Sequence, residues 1–201
     1  MSKRISHFFA YVSRLRWIRR WGLMRNAIEE NVATHSWEVA TLAHALALIR
    51  NQRFGGRVSA DRIAAVALYH DATEVITGDL PTPVKYHSRV MREAFGDIEH
   101  KAEKELLALL PEELREPFAP YLCASALAPE ERELIKAADR LSAWLKCQAE
   151  LAAGNREFAP AAEQIRQRLE QEGLPEVRYF LEVFAPSYEQ PLDNLLSPGN
   201  D

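Results

Sequence analysis

The chain has 201 residues, 47% hydrophobic and 27% charged, enough to bury a sizeable core in one globular domain. Its formal net charge of -4 excludes a protein whose whole surface coats nucleic acid, while leaving room for a small anionic ligand. Its two cysteines, Cys123 and Cys147, form neither a disulfide framework nor a CxxC clip, and read as core thiols in a reducing compartment.

The opening stretch MSKRISHFFAYVSRLRWIRRW is charged throughout and lacks the apolar run and cleavage site of a secretory leader. No window approaches 18 consecutive apolar residues, so a cytoplasmic protein without membrane contact is expected. Apolar residues recur at helical intervals along most of the chain, and no alternating stretch is bounded by hairpin turns. The expected fold class is therefore all-α.

A first helix is expected over about residues 6–18, with Phe8, Phe9, Val12, Leu15 and Ile18 at helical intervals. A second runs from about Thr34 to Asn51 and stops before Phe54-Gly55-Gly56. Ser59 reads as the N-cap of a third, carrying Ile63, Val66, Ala67 and His70 and ending near Gly78. Beyond it, Asp79-Leu80-Pro81-Thr82-Pro83 predicts a stiff loop. Further helices are expected over Ser88–Leu110, Glu112–Leu122 and Pro129–Ala153. The last opens on a proline and two glutamates, which suit the positive end of a helix, and closes at Gly154-Asn155. Helices over Ala159–Glu172 and Pro175–Phe184 complete a single domain, residues 1–185. Residues 186–201 read as a polar, loosely ordered tail.

Three of these helices carry side chains able to hold a metal: His35, the pair His70-Asp71, and Asp139. Imidazole nitrogens with carboxylate oxygens suit a borderline or moderately hard divalent ion, and four such ligands leave positions open for water and substrate. Spacing alone is weak evidence in a chain with six histidines and 29 acidic residues. Context is stronger. His70-Asp71 follows the apolar run Ile63-Ala-Ala-Val-Ala-Leu-Tyr69, and Asp139 sits within Leu134-Ile-Lys-Ala-Ala-Asp-Arg-Leu-Ser-Ala-Trp144, where an unpaired carboxylate is costly to bury. Arginine salt bridges and hydrogen-bonded core histidines would account for any one of these residues alone, but less well for all together. His44 lies nine positions after His35, on the opposite face of the same helix, and takes no ligand role. His7, His87 and His100 lack partners and are left structural.

The pattern of His35, His70-Asp71 and Asp139 resembles the HD phosphohydrolase superfamily. More specific stretches narrow the likeness: Arg20-Trp21-Gly-Leu-Met-Arg25-Asn26, Glu30-Asn31-Val32 leading to His35-Ser36, Tyr69-His-Asp-Ala-Thr-Glu74, Gly78-Asp-Leu-Pro-Thr-Pro-Val-Lys85, Ala137-Ala-Asp139 and Leu145-Lys-Cys147. Together they resemble the bacterial 5'-deoxynucleotidases over essentially the whole chain. The resemblance implies an HD-domain helical bundle around a buried divalent metal, cobalt, manganese or copper. It further implies hydrolysis of deoxyribonucleoside 5'-monophosphates by a homodimer that binds no nucleic-acid polymer.

In that reading His35, His70, Asp71 and Asp139 hold the metal, and His35, Asp71 and Asp139 also face the substrate. Glu74, four residues after His70 and three after Asp71, shares their side of the helix and stands where a base for the attacking water belongs. Arg20 is assigned to the phosphate, and Trp21 limits room around the sugar. Asp79 protonates the leaving 5'-oxygen or holds the deoxyribose, and Leu80, Pro81 and Thr82 form the opposite wall, which excludes a ribose 2'-hydroxyl by shape. Lys85 is read as an exposed lysine rather than a phosphate contact. Two stretches depart from the family pattern, Gly22 after Trp21 and Arg140-Leu141-Ser142 after Asp139; neither is expected to touch a ligand. Competing readings are another HD enzyme acting on cyclic nucleotides or nucleoside triphosphates, and a helical binding protein without catalysis.

Overall fold

The computed structural model describes residues 5–85 and 87–195. Every regular element among them is helical, and the one β-type pairing is an isolated antiparallel bridge between Arg19 and Asn31. The all-α expectation holds. No helix among the described residues is long and apolar enough to cross a membrane. Residues 1–4 of the opening stretch and 196–201 of the expected tail lie outside the described residues.

Helix α1 (Phe8–Val12) runs into a 3-10 turn over Ser13–Trp17. The chain then doubles back: Arg20 N–H donates to Glu30 O and Val32 N–H to Ile18 O, each at 3.0 Å. Helix α2 (Val32–Arg53) begins before Thr34 because Asn31 caps it. Asn31 Oδ1 accepts the Thr34 N–H at 3.0 Å, and Thr34 Oγ1 accepts the Asn31 N–H at 3.3 Å. Thr34 is thus the third residue of a capping box and not the helix start.

α2 is the central helix. Val39, Ala40, Leu42, Ala43, Leu46, Ala47 and Ile49 bury a broad face covering about half of its circumference, while Trp37, Thr41 and Leu48 stay exposed on the other. It packs against α3 (Ala60–Leu68), α8 (Pro129–Ala152) and α10 (Pro175–Val183), and α8 packs in turn on α9 (Ala159–Glu172). Leu46, Ile63, Leu134 and Leu141 meet in the fully buried centre of this core, each contributing about 1.5–3 kcal/mol by leaving water. A second apolar cluster, Phe8, Ala72, Leu106, Leu110 and Leu122, ties α1 to α6 (Arg89–Leu109) and α7 (Glu112–Leu122). A third gathers Cys147, Phe158 and Ala162, with Trp21 and Met24 packed on it.

Two expectations are corrected between α3 and α6. The third helix does not continue to Gly78: α3 ends at Leu68, and the chain advances through tighter bonds, Tyr69 N–H to Val66 O, Ala72 N–H to Tyr69 O and Glu74 N–H to Asp71 O, before the single turn α4 (Glu74–Thr77). Gly78 ends that turn at φ +71°, a backbone angle that favours glycine. The stiff loop is shorter than its prolines suggested. Thr82–Lys85 form α5, and Pro83 falls at a first-turn position where its missing N–H costs nothing. The expected tail also begins with order, a 3-10 turn at Ala185–Glu189 in which Ala185 is buried, followed by α11 (Leu192–Leu195).

Candidate metal and phosphate site

Three parts of the fold converge on one point: the first turns of α2 bring His35, the tight turn after α3 brings His70 and Asp71, and the middle of α8 brings Asp139. Ligand atoms of His35, His70 and Asp71 all lie within 4.8 Å of one another. His70 Nε2 is 3.1 Å and His35 Nε2 3.6 Å from Asp71 Oδ2. Asp139 stands at the edge of this group. Its Oδ1 is 3.1 Å from His35 Nε2, but its side chain is 43% exposed and it lies outside the tight set of three.

The pair His70-Asp71 occupies the turn rather than the end of a continuous helix, and hydrogen bonding explains its orientation. His70 Nδ1 lies 2.7 Å from Ala67 O, so Nδ1 carries a proton and donates to that carbonyl, and in the neutral form of the ring, the form that binds a metal, the Nε2 lone pair faces Asp71. His35 Nδ1 lies 3.2 Å from Ser142 Oγ. Both Nε2 atoms are buried with no hydrogen-bond partner, as is Glu74 Oε2.

Orphaned nitrogens of this kind are the test of metal fit. A buried polar atom without a partner is costly, and two imidazole lone pairs aimed at the same carboxylate have no purpose as core packing. A divalent cation between them satisfies both nitrogens and the carboxylate together. The residues present fit such an ion.

Charge surrounds the cluster. Burial opposes the Arg20 guanidinium, but Asp71 and Glu30 outweigh it and raise its pKa; Arg20 Nη1 is 3.5 Å from Asp71 Oδ2, and Nε is 3.4 Å from Glu30 Oε2. Burial likewise works against ionised Asp71, yet His70, His35 and Arg20 hold it well below the usual carboxylate range. The imidazoles of His35 and His70 resist charging because of burial, and neighbouring carboxylates raise both nonetheless. Glu74 is pushed far above its ordinary value by burial and by Asp71 and Asp79. Asp79 is raised chiefly by burial, against the pull of Arg20 and of the Trp21 N–H that its carboxylate accepts. Several carboxylates so close together, relieved in part by one guanidinium, form an environment that favours a cation.

The substrate-facing residues found by sequence reasoning fall around this centre unevenly. Arg20, Trp21 and Asp79 are joined to it through hydrogen bonds or ion pairs. Trp21 holds φ +58°, a left-handed conformation rare for a bulky residue, with its indole N–H donating to Glu30 Oε2 at 2.7 Å and its ring against Phe158 at 5.3 Å. Strain of this kind persists where surrounding contacts enforce it, as these do. Leu80 and Pro81 follow Asp79 in the short loop, while Thr82 is exposed and opens α5. Lys85 pairs with Glu99 at 2.8 Å and lies over the Phe95 ring. Glu74 begins α4 instead of continuing the helix of His70, so its nearness to Asp71 comes from the tight turn.

One expectation is wrong in a useful way. Ser142, in the stretch expected to touch no ligand, contacts His35 directly, and its hydroxyl also donates to Glu38 Oε2 at 2.5 Å. Glu30, Glu38 and Ser142 had no assigned role. The available signal was helical spacing: Glu38 is three residues after His35 and Ser142 three after Asp139, one turn from a candidate ligand and on its face.

Comparisons with known proteins agree with this geometry. The model of the YfbR-like 5'-deoxynucleotidase family matches residues 7–188. The 5'-deoxynucleotidase YfbR of Escherichia coli is 52% identical over 94% of this chain and 96% of its own length. The 5'-deoxynucleotidase VV1113 of Vibrio vulnificus is 49% identical over 94% and 98%. Among solved structures, an HD-domain phosphohydrolase from Listeria innocua superposes with a TM-score of 0.78 at 24% identity, over 90% of this chain and 88% of that one, and so shares its fold. The HD phosphohydrolase DatZ of cyanophage S-2L, solved with dA and one catalytic Zn2+ ion, gives a TM-score of 0.61 at 25% identity over 89% and 96%. The HD-bundle expectation and the resemblance to bacterial 5'-deoxynucleotidases are borne out.

Proposed function

The chain belongs to the YfbR-like 5'-deoxynucleotidase family, and from that premise we infer that it hydrolyses deoxyribonucleoside 5'-monophosphates to deoxynucleoside and phosphate. The observation that carries this reading is the pair of orphaned Nε2 atoms of His35 and His70, converging on Asp71 beside the Arg20 guanidinium. That combination offers a cation site and an anion site side by side.

His35, His70 and Asp71 hold one divalent ion, with Asp139 completing the set; cobalt, manganese and copper suit these nitrogen and oxygen donors. When bound, the ion supplies positive charge against the phosphoryl oxygens and makes water more acidic. Arg20 has donors left after its contacts with Glu30 and Asp71, and directs them at the phosphate. Trp21, locked by Glu30 and Phe158, bounds the space for the sugar opposite Leu80, Pro81 and Thr82, and a ribose 2'-hydroxyl is excluded there by shape.

Water attacks phosphorus as the bond to the 5'-oxygen breaks. Without a cation, burial and the charges of Asp71 and Asp79 keep Glu74 protonated; beside a bound divalent ion it would be ionised and accept the proton of the attacking water. Asp79, whose raised pKa suits a proton donor, delivers one to the leaving 5'-oxygen. The enzyme works in the cytoplasm as a homodimer, as the family likeness implies. The test is phosphate release from dAMP and dTMP beside AMP, a cyclic nucleotide and a deoxynucleoside triphosphate, with cobalt or manganese. Chelator-sensitive release from the two deoxymonophosphates alone supports the reading; preference for a cyclic or triphosphate substrate replaces it with another HD activity, and no release from any replaces it with a binding role.

A further inference from the structure

We propose that Ser142 and Glu38 are positioning residues for the metal: together they fix which nitrogen of His35 is left free to bind it. The inference rests on the metal reading given above. His35 is fully buried, and so is Ser142, with both at 0% exposure. A neutral imidazole carries its proton on one nitrogen only, so Nε2 is a ligand only if Nδ1 is the donor.

The geometry around Nδ1 enforces that choice. Glu30 Oε1 lies 3.7 Å from it, too far for a hydrogen bond, which leaves Ser142 Oγ at 3.2 Å as its partner. A serine hydroxyl has a single proton. In Ser142 that proton goes to Glu38 Oε2 at 2.5 Å, so Ser142 can only accept from His35. Glu38 therefore orients the hydroxyl, the hydroxyl holds the proton of His35 on Nδ1, and Nε2 keeps its lone pair toward Asp71 and Asp139. His70 reaches the same result by another route, through the backbone carbonyl of Ala67, which no side-chain substitution removes. The chain thus carries one ligand set by backbone and one set by a side-chain relay, and only the second can be tuned by mutation.

Outer partners of metal-bound histidines are worth about 10–100-fold in metal affinity. The test is titration of metal-stripped protein with Co2+, following heat and the cobalt d–d absorption, for wild type, Ser142→Ala, Ser142→Thr and Glu38→Ala, with the melting temperature of each metal-free protein recorded alongside. The expected result is a cobalt Kd raised about 10–100-fold in Ser142→Ala and raised in Glu38→Ala. Ser142→Thr, which keeps the hydroxyl, restores much of the loss, and the cobalt-saturated spectrum of each variant matches wild type. Wild-type cobalt affinity in Ser142→Ala overturns the relay, as does a weakening that merely follows lost stability of the metal-free protein. Wild-type protein that takes up no cobalt overturns the metal reading instead, so the two failures are distinct.

Discussion

Two buried charged clusters in this protein are built on opposite plans. At Lys146 and Glu150 every polar atom is spent: Glu150, fully buried, accepts Ala27 N–H at 2.8 Å, Ile28 N–H at 2.9 Å, Asn155 Nδ2 at 2.7 Å and the Lys146 ammonium. Lys146 also donates to Ile28 O and lies over the Phe158 ring. At His35, His70 and Asp71 the opposite holds, with two buried nitrogens unpartnered and several carboxylates crowded together. Saturation marks the first as a clamp that secures the loop between α1 and α2; deficiency marks the second as a place for a ligand. Burial of charge alone does not separate structure from function, whereas hydrogen-bond satisfaction does.

Mutations should divide along this line, beginning with the largest effect. His70→Ala removes a ligand nitrogen and should lower phosphate release from dAMP beyond the roughly 10²–10³-fold cost of a single charge-stabilising donor, while the metal-free protein melts near the wild-type temperature. Steady-state kinetics with a thermal scan checks both halves. Glu74→Gln should reduce kcat by about 10²–10⁴-fold, the range for a lost general base. Because it removes a carboxyl crowded by Asp71 and Asp79, the same change should leave the melting temperature unchanged or raise it by about 2–4 °C.

In the clamp the signs reverse. Glu150→Ala strands Lys146 and two backbone amides, and should cost about 3–5 kcal/mol of stability in urea titration, with cobalt affinity of the folded fraction unchanged. A smaller effect is set by acid. Burial disfavours ionised Glu150, but Lys146 and the Ala27, Ile28 and Asn155 donors hold it at about 2, below its ordinary 4.5. Its contribution is therefore complete above pH about 4.5 and lost as pH falls toward 2. Thermal scans across that window should show wild-type stability falling more steeply than that of Glu150→Gln.

Much of this contrast was legible in the sequence and part was not. Helix extents followed from periodicity and punctuation, and Glu112–Leu122 and Ala159–Glu172 form as expected. The side chains that cluster, His35, His70 and Asp71 with Asp139 at their edge, were picked out by carboxylates and histidines set in apolar segments. The break after Leu68 was invisible, because Tyr69 to Thr77 continues a helical pattern in composition and departs from it only through tight-turn bonds. Ser142 and Glu38 were missed for a different reason: a small hydroxyl and one glutamate among many gain meaning only once α2 and α8 are packed face to face. Cys147 illustrates the reverse, a core thiol anticipated from the sequence and found buried, its pKa pushed up to about 12.

The central claim is that the unsatisfied cluster is a metal centre that hydrolyses deoxynucleoside monophosphates. Titrating cobalt into metal-stripped protein, while measuring bound metal and phosphate release from dAMP in the same samples, tests it most directly. Release should be absent in chelator and rise in proportion to occupancy, levelling at one ion per chain. Hydrolysis that persists in the stripped protein, or one ion bound per chain with no release, would contradict it.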